Sequence, residues 1–252
     1  MNKWKDKWFY FEILLSFSIF LCLVYVYFDH MINEYWLGNI NFPFSPVVFQ
    51  GQFFSFFTYQ SNFIVAIFLL LSVFYRKSLK TCKSEIILLS ITSYITVTAI
   101  TYTFILLPSI IISNKSILKL DLTFAIFFHI ISPGLMIFYC VKHVNLLNIT
   151  ISSYFKKYIW VYLIYPWSYT LFLVVRLIMY SLDPIFIDLP IEIIYPYSPP
   201  LWASINSISE YFEQIGKFIF LILIFFIFMH ILFISINIFY FFILRLISKK
   251  KK

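Results

Sequence analysis

The sequence predicts an all-α protein: a polytopic membrane bundle of six transmembrane helices with both termini in the cytoplasm. The 252-residue chain is 62% hydrophobic and only 12% charged, and its mean hydropathy is +0.91. A soluble domain of this size cannot bury so much apolar surface, because small globules leave much of their chain exposed. The basic residues are concentrated in alternate connections between apolar runs, as in membrane proteins.

Six apolar runs are long enough to cross a bilayer, since a helix needs about 20 residues to span the hydrocarbon. Lys3, Lys5 and Lys7 precede the first run, as in a signal peptide. That run is too long for a signal-peptide core and no small-x-small cleavage motif follows it, so we expect it to remain as a helix. We predict one integral membrane domain over residues 1–252, with spans at 8–29, 53–75, 85–112, 119–141, 157–180 and 216–246.

The positive charges predict the orientation, because cytoplasmic connections carry an excess of Lys and Arg. Three lie before the first run, four in 76–84, three in 142–157 and five at the C-terminal end. The other side has only Lys115 and Lys119, with Lys217 at the edge of the last run, and connections 30–52 and 181–215 carry none. Both connections are therefore expected on the outer side of a multi-pass cell-membrane protein. Residues 195–200 of the second are rich in proline, and we predict that they pack over the bundle mouth as a stiff lid.

Composition also limits the partners. The net charge of +8 does not indicate nucleic-acid binding, because the charges lie in short segments beside apolar runs. Membrane lipids are the expected partners. The three cysteines, Cys22, Cys82 and Cys140, show neither metal-site spacing nor a pairing pattern, so neither a metal nor another cofactor is expected.

Polar side chains inside the apolar runs are the candidates for function, because unpaired polar groups in hydrocarbon are costly. Residues 53–62 read Phe-Phe-Ser-Phe-Phe-Thr-Tyr-Gln-Ser-Asn. Within them Ser55, Thr58 and Asn62 recur at i, i+3 and i+7, and so are expected to share one helical face. Such a stripe must face other protein or a wet pocket.

The fourth run carries a second stripe, formed by Asp121, Ala125 and His129 and continued by Ser132 and Pro133. His129 lies about ten residues from the outer end, or ~15 Å deep at the helical rise. A histidine at that depth is either a functional group or a hydrogen-bonded contact between helices.

Two further features belong to the fifth and third runs. Arg176, near the outer end of the fifth, is expected to snorkel to the interface, to pair with Asp121 or to hold a lipid carboxylate. The third run is rich in hydroxyls, which we interpret as interhelical contacts: Ser93, Thr96, Thr98, Thr101 and Thr103.

Four short motifs occur in a fixed order: Phe-Phe-Thr-Tyr-Gln-Ser-Asn at 56–62, His129-x-x-x-Pro133, Tyr165-Pro166 with Arg176 ten residues on, and Tyr-Pro-Tyr at 195–197. Together they resemble a bacterial branch of the six-helix membrane proteins related to the androgen-induced gene and androgen-dependent TFPI-regulating proteins of animals. The resemblance covers roughly residues 50–200. It implies a hydrolase of fatty acid esters of hydroxy fatty acids, with Thr58 as the nucleophile and His129 as its partner.

The implied chemistry is coherent. A threonine hydroxyl needs a base to take its proton, and a neutral imidazole is a suitable base near pH 7. In this interpretation Ser55 or Asn62 donates to the oxyanion, and Arg176 binds the free carboxylate of the substrate. Asp121 completes the predicted substrate-binding set.

Two other interpretations stay open. In a non-enzymatic structural membrane protein the polar stripes would only hold helices together. A small transporter would be expected to have paired charges or broken helices near mid-membrane, with inverted repeats. The charges here lie toward one face, so the transporter ranks lower.

Overall fold

The computed structural model describes residues 7–37, 42–75, 82–108, 119–144, 146, 149–182, 193 and 215–250. These residues form helices and turns, with no strand among them. The predicted fold class of six spans is confirmed, because six helices are long and apolar enough to cross a membrane: Lys7–Ile32, Phe57–Phe74, Glu85–Phe104, Asp121–His143, Ile151–Tyr180 and Phe226–Lys249. The lid predicted at residues 195–200 lies outside the described residues.

Eight α-helices make up the described chain: α1 (Lys7–Ile32), α2 (Pro46–Ser55), α3 (Phe57–Phe74), α4 (Cys82–Thr101), α5 (Lys119–Ile126), α6 (Ser132–His143), α7 (Ile159–Leu182) and α8 (Ile215–Lys250). A single turn at Ile151–Ser153 precedes α7. There are also three π-helical segments, a form that is frequent at functional sites: Tyr102–Leu106 after α4, Phe127–Ile131 between α5 and α6, and Tyr154–Tyr158 before α7.

The second span differs from the single helix predicted over residues 53–75. Helix α2 ends at Ser55, Phe56 has an extended backbone with a ψ of 115°, and α3 begins at the next residue. The predicted stripe is therefore interrupted: Ser55 ends one helix, while Thr58 and Asn62 belong to the next. Helix α2 also occupies part of the connection 30–52, where its first-turn proline is preorganised for a helix start.

The chain divides into two compact units. The first comprises Met1–Val24, Ser61–Leu163 and Leu232–Lys252, and the second comprises Tyr25–Gln60 and Ile164–Ile231. Each has its own buried side chains and hydrogen bonds.

In the first unit α4 packs against α6, and its hydroxyls contact other helices. The interpretation of these hydroxyls as interhelical contacts is confirmed for three of them. Each makes a hydrogen bond to a side chain of another span: Ser93 with Asn237 (3.0 Å), Thr96 with Tyr240 (2.8 Å) and Thr98 with Ser61 (2.9 Å).

In the second unit, aromatic rings surround the middle of α2. Phe49 is fully buried and its ring contacts those of Tyr27, His30, Trp36, Phe44 and Phe53. The buried side chain of Gln52 bonds both backbone groups of Leu37, at 3.1 and 3.0 Å. The turn after α1 is thereby tied to α2.

Candidate functional site

Helix α2 ends before Phe56, so its last carbonyl groups lack the backbone N–H donors that a continuing helix would supply. Side chains replace them: Gln60 donates from Nε2 to the Phe54 carbonyl, and the Tyr169 hydroxyl donates to the Ser55 carbonyl at 2.8 Å. In apolar surroundings, irregular backbone is tolerated only where its polar groups are satisfied. These two side chains therefore make the break possible.

Thr58 lies directly after this break, as the second residue of α3, and only 4% of its surface is exposed. The N–H groups of Tyr59 and Gln60 both bond to the Phe56 carbonyl, at 3.1 and 3.2 Å, which starts the helix at the break. The positive end of the helix dipole falls in this turn and favours nearby negative charge. Thr58 therefore lies in a turn where the helix dipole contributes positive potential.

Arg176 is buried in α7, with 6% of its surface exposed. Its guanidinium donates to Ser55 Oγ and, at 3.4 Å, to the Tyr180 hydroxyl, and lies 4.9 Å from the centroid of the Tyr180 ring. The structure thus brings together two predicted site residues, Ser55 and Arg176. The Ser55 hydroxyl gives its one hydrogen to the Gly51 carbonyl at 2.8 Å, rather than to an oxyanion.

His129 lies in the π-helical segment Phe127–Ile131 of the first unit. Its Nδ1 is 2.7 Å from the Ala125 carbonyl. Because a carbonyl only accepts, Nδ1 carries the hydrogen, and Nε2 is the basic atom of the neutral ring. The ring stacks on Tyr102 with centroids 4.0 Å apart, so both contacts fix the orientation of the imidazole.

Pro133 explains why this segment is irregular. The N–H of Ser132 bonds to the carbonyl five residues earlier, in π register. In that register the Phe128 carbonyl would take the next N–H, but proline has none. Asn62 replaces it, donating from Nδ2 to the Phe128 carbonyl at 3.2 Å. Asn62, predicted to bind substrate, therefore supports the segment that carries His129.

Ser132 is a residue that the sequence argument did not single out as a site residue. It is fully buried, and its Oγ has no hydrogen-bond partner among the described residues. A helical serine usually returns its hydrogen to the carbonyl four residues earlier, which here belongs to Phe128 and is bonded by Asn62. The only feature of the sequence that could have drawn attention to Ser132 is its position, three residues after His129 and directly before a proline.

Asp121, the remaining predicted site residue, lies half-buried in the first turn of α5. A carboxylate there complements the helix dipole. Thr58 belongs to the second unit and His129 to the first, and their pairing stays a prediction. Within the described ranges, no group of three or more His, Cys, Asp or Glu residues is placed to hold a metal ion.

No family model, curated protein or solved structure matches the chain. The family resemblance therefore stays an expectation.

Proposed function

We propose that this multi-pass membrane protein is an intramembrane lipid ester hydrolase in which Thr58 is the nucleophile and His129 is the base. The observation that carries the proposal is the position of Thr58, a buried threonine in the first turn of a helix that begins at a break. The helix end contributes positive potential where the negative charge of a tetrahedral intermediate would develop.

The reaction would proceed in two halves. Thr58 Oγ1 bonds to the ester carbonyl carbon as its proton passes to His129 Nε2, and the carbonyl oxygen becomes an oxyanion. The oxyanion collapses, the alcohol leaves with the proton held by His129, and an acyl-threonine remains. Water then attacks the acyl carbon by the same route and releases the acid. Both halves require Oγ1 and Nε2 within about 2.6–3.2 Å in the productive state.

Three further points support this assignment. The tautomer of His129 leaves Nε2 as the basic atom. The amide of Asn62, which bonds the adjacent Phe128 carbonyl, is the candidate donor to the oxyanion. Arg176 suits a substrate with a free carboxylate, such as a fatty acid ester of a hydroxy fatty acid. The substrate role of Asp121 stays a prediction.

A non-enzymatic structural role is the second candidate, and one observation favours it. His230 has the same arrangement as His129, with Nδ1 2.7 Å from the Phe226 carbonyl four residues earlier. The arrangement is therefore also compatible with ordinary helix packing. A transporter would use a broken helix near mid-membrane, whereas the break at Phe56 directly precedes the span Phe57–Phe74.

The test uses full-length protein purified in detergent, a branched fatty-acid ester and a serine/threonine-directed fluorophosphonate probe. Thr58→Ala should abolish labelling and hydrolysis, whereas Thr58→Ser should retain part of both. His129→Ala should lower kcat/KM by about 10²–10⁴-fold, the usual contribution of general-base catalysis. His230→Ala, which removes a ring with the same backbone bond, should leave kcat/KM near that of wild type.

Equal hydrolysis by wild type and Thr58→Ala would contradict the proposal, as would equal losses in the two histidine variants. Either outcome would favour the structural role.

A further inference from the structure

The start of the fifth span exposes two adjacent lysines on a π-helical segment. This segment, Tyr154–Tyr158, begins with a fully buried tyrosine. The next three residues, Phe155, Lys156 and Lys157, are all exposed. The π segment therefore presents two neighbouring ammonium groups on the surface of the first unit.

These two charges have no counter-ion in the described part of the chain. Neither Lys156 nor Lys157 makes a hydrogen bond or an ion pair with a described residue. A third positive charge lies nearby on α8, because the guanidinium of Arg245 is 5.9 Å from the ring of Phe241, which stacks on Tyr154. A surface with cations of one sign and no neighbouring carboxylate is complementary to an anionic partner.

The position of the two lysines along the span places them at a membrane surface. The span Ile151–Tyr180 has 30 residues, or about 45 Å at 1.5 Å per residue, whereas the hydrocarbon layer is about 30 Å thick. Charged side chains are costly in hydrocarbon, so the apolar layer begins after Lys157. From Ile159 onwards the helix still measures about 33 Å, which is enough to cross it. Lys156 and Lys157 therefore lie at the level of the lipid head groups.

Trp160 lies one helical turn deeper than Lys156, on the same face of the helix. Its side chain is 64% exposed, and its indole N–H has no hydrogen-bond partner among the residues that the structure describes. Tryptophan suits this level because its ring is apolar and its N–H is polar. The ester carbonyls of a glycerophospholipid lie on the apolar side of its phosphate. One lipid molecule can therefore reach both Lys156 and Trp160.

We propose that Lys156, Lys157 and Trp160 form a binding site for an anionic glycerophospholipid. The two ammonium groups donate to the phosphate through charge-assisted hydrogen bonds, and the Trp160 N–H donates to an ester carbonyl. Each lysine near an anionic lipid contributes about 5-fold in affinity. The site shares no residue with the proposed hydrolytic site, so either proposal can fail alone.

The experiment measures the lipid selectivity of the full-length protein in a nonionic detergent. The protein is titrated with phosphatidylglycerol or with phosphatidylcholine, and native mass spectrometry gives the dissociation constant of the first bound lipid. Wild type should bind phosphatidylglycerol about 10- to 30-fold more tightly than phosphatidylcholine. In Lys156→Gln/Lys157→Gln this preference should fall to about one.

Lys7→Gln/Lys249→Gln is the matched control, because it removes the same charge from two exposed lysines on α1 and α8. It should keep the preference. Lys156→Arg/Lys157→Arg retains both charges and should keep it as well. Should the double glutamine variant fail to fold, each single variant should lose about 5-fold.

Trp160→Phe tests the second half of the site, since it keeps an aromatic ring and removes the N–H. Both lipids have ester carbonyls, so the variant should bind both severalfold more weakly and leave the preference between them unchanged. A loss confined to phosphatidylglycerol would contradict the assigned role of Trp160.

Equal binding of the two lipids by wild type would overturn the proposal. So would equal losses in the two double glutamine variants, because a general effect of net charge would then be sufficient. Glycerol 3-phosphate, which has the phosphate but no acyl chains, should not compete; competition would identify a soluble phosphate as the ligand and contradict the lipid site. Thr58→Ala should retain the preference, so failure of the hydrolase proposal would leave this site standing.

Discussion

At the scale of single residues, the role of a polar side chain depends on where its hydrogen goes. Ser55 looked equivalent to Asn62 as an oxyanion donor, but its one hydrogen is bonded to Gly51, so it serves as the acceptor that holds Arg176. For His129, the bond from Nδ1 to a backbone carbonyl decides which nitrogen is basic. Sequence spacing proposed these residues as candidates, but it carries no information on the direction of a hydrogen bond.

Removing the hydroxyl of Ser132 should stabilise the protein. Replacing its buried hydroxyl, which has no partner among the described residues, with the methyl group of alanine should raise the free energy of unfolding by about 1 kcal/mol, because the desolvation cost of the hydroxyl disappears. Chemical denaturation in detergent measures the change. Ser90→Ala is the control: its buried hydroxyl donates to the Ile86 carbonyl at 2.8 Å, so no gain is expected.

A larger loss of stability in Ser132→Ala than in Ser90→Ala would mean that Ser132 has a partner in the native protein. A gain in stability accompanied by a loss of hydrolysis would place its hydroxyl at the substrate.

At the scale of helices, hydrophobic length predicted the six spans but not the places where they depart from α geometry. No glycine or proline marks the break at Phe56. It depends on caps from Gln60 nearby and from Tyr169, more than a hundred residues away. The π segment at His129 has a local cause in Pro133, but its exposed carbonyl is satisfied by Asn62 in another helix. Local patterns cannot reveal such distant partners.

The link between Asn62 and Pro133 is measurable as a coupling energy. Asn62→Leu should lower the free energy of unfolding by about 1–3 kcal/mol, because it leaves the buried Phe128 carbonyl without this donor. In Pro133→Ala an N–H returns beside that carbonyl. The double variant should therefore be less destabilised than the sum of the single changes, by about 1 kcal/mol.

Gly134→Ala is the control, because it lies in the same helix as Pro133 but has open space around its Cβ. Its change in the free energy of unfolding should simply add to that of Asn62→Leu. Strict additivity of Asn62→Leu with Pro133→Ala would refute the proposed origin of the π segment.

At the scale of the whole molecule, the faces left uncovered agree with the composition. Large apolar side chains are widely exposed along the spans, among them Leu14 at 66%, Leu171 at 65% and Met179 at 66%. Soluble monomers rarely expose extensive contiguous apolar patches, whereas lipid tails cover them. Hydropathy alone was sufficient to predict a membrane protein. Which polar stripes face each other depends on the packing of helices distant in sequence, and periodicity within one helix does not contain that information.

Orientation is the property of the whole molecule that the charges predict most directly. Connections 30–52 and 181–215 carry no Lys or Arg, so both should lie outside. The N-terminal segment, connections 76–84 and 142–157 and the C-terminal end, which carry most of the basic residues, should be cytoplasmic. In a chain whose native cysteines are replaced by serine, Asn39→Cys and Asp188→Cys should react with an impermeant maleimide in intact cells. Ser78→Cys, in the basic connection 76–84, should react only after the membrane is opened. The reverse pattern would invert the predicted topology and place Thr58 and Arg176 toward the cytoplasmic leaflet, so that the proposed lipid substrate would have to be drawn from that side.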